Sequence, residues 1–591
     1  MKFRGIKINA SSAIYFHVIL ANSLIYLKVF TAQNYFVLEF FLCIILFVLS
    51  MIHFIKENVI SFLKYSEAVY FLFIYYVIIK SLLTNNFDAL SISYLILSLV
   101  FYYGIKCFIL KRDYSAISKL IFWTSGITLI IYLGLAAFHC FIKMENLNNF
   151  FYPNVSIFSI VLASQISFIL PICVNFINKE TRTKYSFTFI IILILLSVIL
   201  LALTNGRAGW IGFILALVYI AYQYQPILRI KKVIIFLALS LIILLGFLLS
   251  SYKSDSSGGR ILIYKISGEI LKENWLWGIG HGQFKVQYNL YQAKYFAFHN
   301  IDSKEAMLAD NSYYAFNDYF QVFIENGVIG FLILGAILFF LYIQFKNTKT
   351  NNDNKHLFIA SIASLICIVT GSFFSYPLHV FPLMVQAILC VALLNSFPTS
   401  YKFQVCLPEK LIIFSKVILV LISVLLLIHY SFYVNYKIKS DHAFKLKRIG
   451  YKHKSLKIYQ ELNKSYIREG NALYLYAQQL YYSNQLLPAK MVLKDAKNIY
   501  SSNEVYKLSA SIENELYNFE QAEKDYKTAI YMVPNRMAGR NNLLDFYLER
   551  KDTTQAIYWA NSIVNMPVKI PSQRTKNMKQ KANEILKAFN F

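Results

Sequence analysis

Long apolar runs alternate with short polar gaps over the first 433 residues of the chain. Thirteen of these runs approach the roughly 20 apolar residues that a helix needs to cross a bilayer. They lie at 13–31, 35–55, 67–84, 88–110, 118–142, 155–177, 187–204, 210–226, 232–251, 328–345, 357–375, 378–397 and 411–433. The pattern predicts an all-α, polytopic transmembrane domain over residues 1–433, with about twelve or thirteen spans.

Residues 434–591 have a different pattern, in which small residues recur at intervals of 34, 33 and 34. These residues are Ser455, Ala489, Ala522 and Ala556. The fuller spacing Ala522, Tyr526, Ala529 and Pro534 resembles the tetratricopeptide repeat. Such repeats stack helix pairs into a superhelix with a concave binding face. The pattern therefore predicts a helical-repeat domain with a surface for a protein partner; an ordinary helical bundle with chance spacing is the alternative.

The distribution of charge predicts how the chain is oriented. The net charge is +27 in a chain that is 57% hydrophobic, which favours anionic lipid or phosphate-bearing substrates over nucleic acid. Lys and Arg concentrate at the N-terminus and in every second gap, which places the N-terminus in the cytoplasm. The 205–209 turn, the long 252–327 loop and the 375–382 turn then lie outside. An odd number of spans places residues 434–591 outside too, although the basic residues after 433 argue for the cytoplasm.

Two arginines on the predicted outer side are candidates for binding phosphate. Arg207 lies in a "TNGRAG" turn between two spans, and Arg260 follows a flexible "SDSSGG" stretch. Arg260 begins a predicted amphipathic helix with one apolar face, formed by Ile261, Tyr264, Ile266 and Ile270. The planar guanidinium suits bidentate contact with phosphate oxygens, such as those of a lipid-linked diphosphate. The alternatives are a snorkelling charge for Arg207 and a solvated loop charge for Arg260.

Further candidates lie in the same loop. His281 sits in a turn that contains Gly278, Gly280 and Gly282, His299 follows, and Glu325 lies where the chain returns to the membrane. The turn has no strand before it, so it is not a dinucleotide or P-loop signature. The alternatives are ordinary loop histidines, and a helix cap for Glu325. No metal cluster is visible, so arginines rather than a metal would neutralise a leaving group.

Residues 10–400 resemble the O-antigen ligase/polymerase superfamily in the order and spacing of several segments. The segments are "FFYPNVSIF" (150–158), "TNGRAGW" (204–210), "GGRILIY" (258–264), "WLWGIGHGQF" (275–284), "FNDYFQVFIENGVIG" (316–330) and "YPLHVFP" (376–382). The resemblance implies an inverting, metal-independent glycosyltransferase of the GT-C type, which needs no cofactor. It also implies a multi-pass protein of the bacterial inner membrane, with a periplasmic active site and a glycan donor on undecaprenyl diphosphate.

The resemblance extends to individual residues. Arg207 and Arg260 match the family arginines thought to bind the diphosphate. Family members often carry a His-Asn pair whose histidine is a proposed general base, and this chain has Phe316-Asn317 there. Asn317 is therefore predicted to be a site residue, although the histidine that precedes it in the family is absent here. The candidates to replace that base are His281, His299, Asp318 and Glu325.

Three acceptors are compatible with this architecture. With lipid A–core as acceptor, the protein is an O-antigen ligase of lipopolysaccharide biosynthesis, and this is the main prediction. A second lipid-linked glycan gives a polymerase, and a protein serine or threonine gives an O-oligosaccharyltransferase. The non-enzyme alternative is a polysaccharide transporter or assembly scaffold. A transporter predicts ionisable residues and broken helices at mid-bilayer depth, whereas the polar candidates here lie at the outer edge.

Overall fold

The computed structural model describes residues 44–52, 62–84, 88–110, 113–138, 154–179, 184–204, 206–224, 254–351, 354–398, 404–406 and 408–589. The chain forms two compact units. The first contains Met1–Tyr252, Phe316–Val322 and Ile329–Val434, and the second contains Lys253–Ala315, Phe323–Val328 and Asn435–Phe591. The long loop and the C-terminal domain thus belong to the same unit.

Helices dominate the part of the chain that the structure describes before residue 449. They are α1 (44–52), α2 (Tyr65–Leu83), α3 (Ala89–Leu110), α4 (Tyr114–Ala137), α5 (Val155–Lys179), α6 (Lys184–Leu203), α7 (Arg207–Gln223), α8 (Ser254–Asn274), α9 (Phe284–Ala297), α10 (Lys304–Leu308), α11 (Asp318–Lys346), α12 (Lys355–Ser372), α13 (Phe381–Ser396) and α14 (Glu409–Arg448). A 3₁₀ turn, Pro377–His379, precedes α13. Two short strands, β1 (Phe62–Lys64) and β2 (Gln404–Cys406), pair antiparallel with Phe62 opposite Cys406.

Seven helices among the described residues are long and apolar enough to cross a membrane. They are Tyr65–Leu83, Ser91–Leu110, Tyr114–Ala137, Val155–Phe176, Asp318–Lys346, Lys355–Ser372 and Val420–Arg448. Three shorter apolar helices are Thr188–Leu203, Arg207–Gln223 and Phe381–Ser396. The predicted all-α, polytopic fold is confirmed. The predicted spans 13–31 and 232–251, and part of 35–55, lie outside the described residues, so the number of spans stays a prediction.

Helices α5, α7 and α12 pack closely through small residues in the first unit. Gly209 of α7 lies against the backbone of Ser159 in α5, and a Cβ on Gly212 would lie 2.9 Å from the Cα of Cys367 in α12. Gly371 of α12 likewise lies against Ile160. Close backbone approach at small residues is a usual way for membrane helices to associate. These contacts bring the start of α5, the start of α7 and the end of α12 to one end of the unit.

A buried polar cluster joins α2, α3 and α13 elsewhere in the first unit. The Glu67 carboxylate accepts hydrogen bonds from the Lys106 ammonium and the Tyr102 hydroxyl. The Lys64 ammonium donates to the carbonyl oxygen of Asn395 at 2.6 Å, and the Asn395 amide donates to Tyr102 at 2.5 Å. Buried charges are tolerated when they are paired and hydrogen-bonded. The cluster therefore cross-links these helices through polar contacts.

The C-terminal domain of the second unit is a series of helices in which neighbours pack on one another. They are α15 (Lys452–Asn463), α16 (Gly470–Tyr482), α17 (Leu486–Ile499), α18 (Asn503–Glu515), α19 (Phe519–Met532), α20 (Met537–Glu549), α21 (Thr553–Asn565) and α22 (Gln573–Ala588). The four periodic small residues are fully buried, one each in α15, α17, α19 and α21. This agrees with their predicted place between packed helices; the tetratricopeptide identity of the repeats stays a prediction.

The 253–315 loop folds onto the C-terminal domain. The Asn289 amide donates to the carbonyl oxygen of Ser501 at 2.7 Å, and the Asn535 amide donates to those of Met307 and Ala309 at 3.0 and 2.6 Å. The fully buried Arg540 donates to the Asp302 carboxylate at 2.7 Å. A loop and a domain in such contact lie on the same side of a membrane.

Candidate active site

Arg207 is the first residue of α7, and its half-buried side chain follows a glycine N-cap. The neighbouring glycines leave room for α5, because a Cβ on either Gly206 or Gly209 would collide with Ser159 of that helix. Gly206 has a φ of −89°, which any residue can adopt. The glycines therefore let the Arg207 end of α7 approach α5.

The start of α7 is electropositive, because backbone N–H groups and a guanidinium meet there. Its N-cap, Gly206, supplies no side-chain hydrogen bond, and the first turn contains no acidic residue. The first backbone N–H groups of a helix carry partial positive charge and commonly bind anions. Arg207 adds a full charge at the same place. This end of the helix suits a phosphate group.

The glycine-rich turn 275–282 interlocks with a break in α11. Gly327 interrupts that helix with φ 66° and ψ −172°, and Gly278 has φ 71°. Three backbone hydrogen bonds join the segments, from Ile279 N–H to Ile324 O (3.0 Å), from Gly280 N–H to Glu325 O (2.9 Å) and from Val328 N–H to Trp275 O (2.9 Å). A Cβ on Gly278 would meet the backbone of Glu325 and Gly327. The glycine-rich turn and the break at Gly327 thus form one structural element.

Glu325 holds this element together with its side chain. The carboxylate is almost fully buried and accepts hydrogen bonds from Gly282 N–H at 2.9 Å and Phe284 N–H at 3.4 Å. Its Oε2 lies 3.5 Å from Nδ1 of His281, whose side chain is 14% exposed. The Asn326 amide lies 3.4 Å from the same nitrogen. The structure thus brings Glu325 and His281 together around the turn; their roles as bases stay predictions.

Arg260 lies on α8, which departs from the prediction in two ways. The helix begins at Ser254, so the "SDSSGG" stretch is helical rather than a flexible lead-in. Its buried apolar residues are Leu262, Ile266 and Ile270, whereas Ile261 is 65% exposed. The spacing of four residues places these three side chains on one stripe, and Ile261 falls outside it. Arg260 itself is half-buried.

His299 lies at the surface of the second unit. Its ring stacks on that of Tyr295 with centroids 3.9 Å apart, and Nδ1 lies 2.7 Å from the Tyr295 carbonyl oxygen. The Tyr295 hydroxyl donates to Glu305 at 2.8 Å, and Glu305 pairs with Lys265. These contacts place His299 in an exposed polar cluster, and its catalytic role stays a prediction.

Asn317 caps α11, because its side-chain oxygen accepts a hydrogen bond from Phe320 N–H at 3.0 Å. Phe316, at the position of the family histidine, has a φ of 53°. Its ring lies edge-on to Tyr376 with centroids 5.5 Å apart. Phe316 therefore gives this position an aromatic contact and no titratable group.

Asp318, the residue after Asn317, forms a pair with His379 that the sequence did not reveal. Asp318 is 2% exposed, and its Oδ1 lies 2.9 Å from Nδ1 of His379 in the 3₁₀ turn. Its Oδ2 accepts hydrogen bonds from the Ser372 hydroxyl and from Leu378 N–H, both at 3.0 Å. The Gln321 amide lies 3.2 Å from Nε2 of His379. The only sequence signal was a histidine in the "YPLHVFP" turn, and no periodicity connects residues 61 apart.

Arg207 and the Asp318–His379 pair belong to the same end of the first unit. Gly206 lies against Ser159, near the start of α5. Asn154, immediately before α5, donates to the Tyr376 hydroxyl at 2.9 Å, three residues before His379. Of the other predicted site residues, Asn317 belongs to this unit, and Arg260, His281, His299 and Glu325 belong to the second.

Within the residues that the structure describes, no three His, Cys, Asp or Glu side chains are grouped as metal ligands.

Comparison with known proteins gives one family match. No curated protein matches the chain. Residues 192–335 match the family model described as O-antigen ligase, and this range contains all six predicted site residues. The match supports the resemblance to the O-antigen ligase superfamily and indicates a membrane enzyme of the O-antigen ligase or polymerase type.

Proposed function

We propose that the protein is an O-antigen ligase, a glycosyltransferase that moves an oligosaccharide from undecaprenyl diphosphate to lipid A–core. The observation that carries the proposal is the family match over residues 192–335, because it includes both candidate phosphate-binding arginines. The electropositive start of α7 gives the proposal a physical basis. A transporter would need a different arrangement, with ionisable groups along a mid-bilayer path.

The proposed reaction is a displacement at the anomeric carbon with inversion. The acceptor hydroxyl oxygen attacks the anomeric carbon, the bond from that carbon to the diphosphate oxygen breaks, and the carrier diphosphate leaves with the electron pair. Arg207 and the first N–H groups of α7 donate hydrogen bonds to the phosphate oxygens, where negative charge increases. Arg260 is proposed as the second arginine for this diphosphate, from its place in the sequence. Neither a metal ion nor a cofactor is part of the proposal.

Glu325 is proposed to position the glycine-rich turn rather than to move a proton. Its two oxygens accept hydrogen bonds from the backbone N–H groups of Gly282 in the turn and of Phe284 at the start of α9, and the side chain is buried. Hydrogen bonds to an ionised acceptor are stronger than neutral ones. The carboxylate thereby fixes the backbone around His281.

We also infer a periplasmic location for the loop and the C-terminal domain, in a bacterial inner membrane. Two observations support it: the alternation of Lys and Arg along the chain, and the hydrogen bonds between the loop and the C-terminal domain. The basic residues after 433 had argued for the cytoplasm. Lys437 pairs with Glu469 at 2.8 Å, so this charge is matched within its own domain.

The acceptor can be tested by deleting the gene and analysing three products. A ligase predicts loss of long glycan from lipid A–core while polymer accumulates on the carrier. Carrier that bears only single units would indicate a polymerase, and loss confined to glycoproteins would indicate protein O-glycosylation. An unchanged profile in all three products would refute a glycan transferase.

The phosphate site can be tested in the complemented deletion strain. Arg207→Ala and Arg260→Ala should each abolish glycan transfer with unchanged protein in the membrane, and Arg207→Lys should also be poor because lysine lacks the planar fork. Arg468→Ala is the matched control, since Arg468 pairs with Asp495 on an exposed face of the C-terminal domain. Normal surface glycan in both alanine variants would refute the assignment.

A further inference from the structure

The Asp318–His379 pair is arranged as a histidine base and the carboxylate that orients it. We propose that His379 is the general base that takes the proton of the acceptor hydroxyl, and that Asp318 is the residue that positions it. This inference rests on the proposed glycan transfer and names a base for the proton transfer that Phe316, at the position of the family histidine, cannot perform. His379 lies outside residues 192–335, so the family match does not include it.

The contacts of Asp318 determine which nitrogen of His379 carries a proton. The Oδ2 atom already accepts from Ser372 and Leu378, and Oδ1 faces Nδ1 of His379 at 2.9 Å. A carboxylate is an acceptor, so Nδ1 must be the protonated nitrogen of this pair. The lone pair of the neutral imidazole is then on Nε2. The Gln321 amide 3.2 Å from Nε2 is a donor to that lone pair, which is consistent with this tautomer.

Asp318 is more buried than His379, as expected for an orienting carboxylate and a base that must reach a substrate. The Asp318 side chain is 2% exposed, whereas that of His379 is 33% exposed. An enclosed orienting group behind a more accessible base is the arrangement found when a histidine activates a hydroxyl nucleophile. The pair also lies at the same end of the first unit as Arg207, through the Asn154–Tyr376 hydrogen bond near α5. A base and a leaving-group site are therefore both present at that end.

The proton transfer follows from this geometry. The acceptor hydroxyl replaces the Gln321 amide as the hydrogen-bond donor to Nε2. As its oxygen attacks the anomeric carbon, its proton passes to Nε2 and the diphosphate leaves with the electrons of the broken carbon–oxygen bond. The resulting imidazolium faces the Asp318 carboxylate, which stabilises it until the proton is released to water.

The test uses the full-length protein in proteoliposomes, with undecaprenyl-diphosphate-linked oligosaccharide as donor and lipid A–core as acceptor. His379→Asn retains an amide N–H in the place of Nδ1–H, so it can still donate to Asp318 but cannot take a proton. We expect its kcat to fall about 100-fold to 10,000-fold with an unchanged KM for the donor. Asp318→Asn should lower kcat similarly, because its amide favours the other tautomer of His379. The matched control is His356→Asn, since Nδ1 of His356 also bonds a side chain, the Tyr224 hydroxyl at 2.6 Å.

The outcomes separate this inference from the function on which it rests. Wild-type activity in His379→Asn would show a structural role and overturn the inference, while transfer by the wild-type protein would leave the proposed function in place. Transfer absent from the wild-type protein would overturn both. If His379→Asn does not fold, His379→Gln is the second variant; its amide reaches the place of Nε2 and cannot take a proton, so wild-type activity in it would also overturn the inference. Donor binding, measured by co-purification of labelled donor with the detergent-solubilised protein, should be lost in Arg207→Ala and kept in His379→Asn.

Discussion

Gly327 interrupts α11 in a backbone conformation that glycine alone adopts readily, and Gly327→Ala is therefore an informative substitution. Its φ of 66° and ψ of −172° lie in a region that is strained for residues with a Cβ, at about 1–3 kcal/mol. The added methyl group would also collide with the backbone of Leu276 and Trp277. Relief of that collision requires the glycine-rich turn to move away from the helix.

The cost of that movement follows from the three backbone hydrogen bonds between the segments. At about 1 kcal/mol each they hold the turn against opening by about 3 kcal/mol. Strain of about 1–3 kcal/mol in the closed state offsets much of this and raises the local opening equilibrium by about 5-fold to 150-fold, before the collision is included. We expect the turn to detach while the rest of the chain stays folded, with loss of glycan transfer.

Hydrogen exchange of peptides that cover 275–284 and 324–330 measures this opening directly. The amides of Ile279, Gly280 and Val328 should lose protection in Gly327→Ala. Gly335→Ala is the control on the same helix, because a Cβ there has nothing within 4 Å. Equal protection in the wild-type protein and in Gly327→Ala would refute the argument that this conformation holds the turn.

Three further substitutions test other parts of the structure. Arg540→Met should destabilise the second unit by about 3–5 kcal/mol and lower its Tm by several degrees. The reason is that the guanidinium is fully buried and its hydrogen-bond acceptors would lose their donor. An unchanged Tm would contradict this. Gly278→Ala should raise exchange in 275–284, whereas Gly268→Ala on α8, with open space around its Cβ, should not. Lys272→Ala should leave the Tm unchanged, because an ion pair of an exposed lysine contributes less than about 1 kcal/mol, and a clear fall would show a network there.

Local patterns in the sequence were enough to predict the helices and their burial. Apolar runs of span length gave the membrane helices, and the intervals of about 34 residues gave buried small positions in the C-terminal domain. The face of α8 was less predictable, because four isoleucines and a leucine lie within residues 261–270 and only packing decides which are buried. Leu262 is buried and its neighbour Ile261 is exposed.

The contacts that build the candidate site join residues far apart in the chain, and periodicity carries no information about them. Glu325 contacts Gly282 across 43 residues, and Asp318 contacts His379 across 61. Local sequence patterns placed Glu325 at a helix start and gave His379 no role. Such patterns include only the chain neighbours of each residue, and the contacts of both side chains are distant in the chain. Backbone geometry was equally hidden, since a glycine in the sequence does not state the sign of its φ.

The docking of the loop on the C-terminal domain also sets an order of events during synthesis. Asp310 bonds Arg536, which follows it by 226 residues. At about 5–20 residues per second, a ribosome needs about 10–45 s to make that stretch. During this interval the loop has left the ribosome without the surface that it later covers. A nascent chain that stops before Arg536 therefore lacks part of the surface that the loop covers, even when every membrane helix has been inserted.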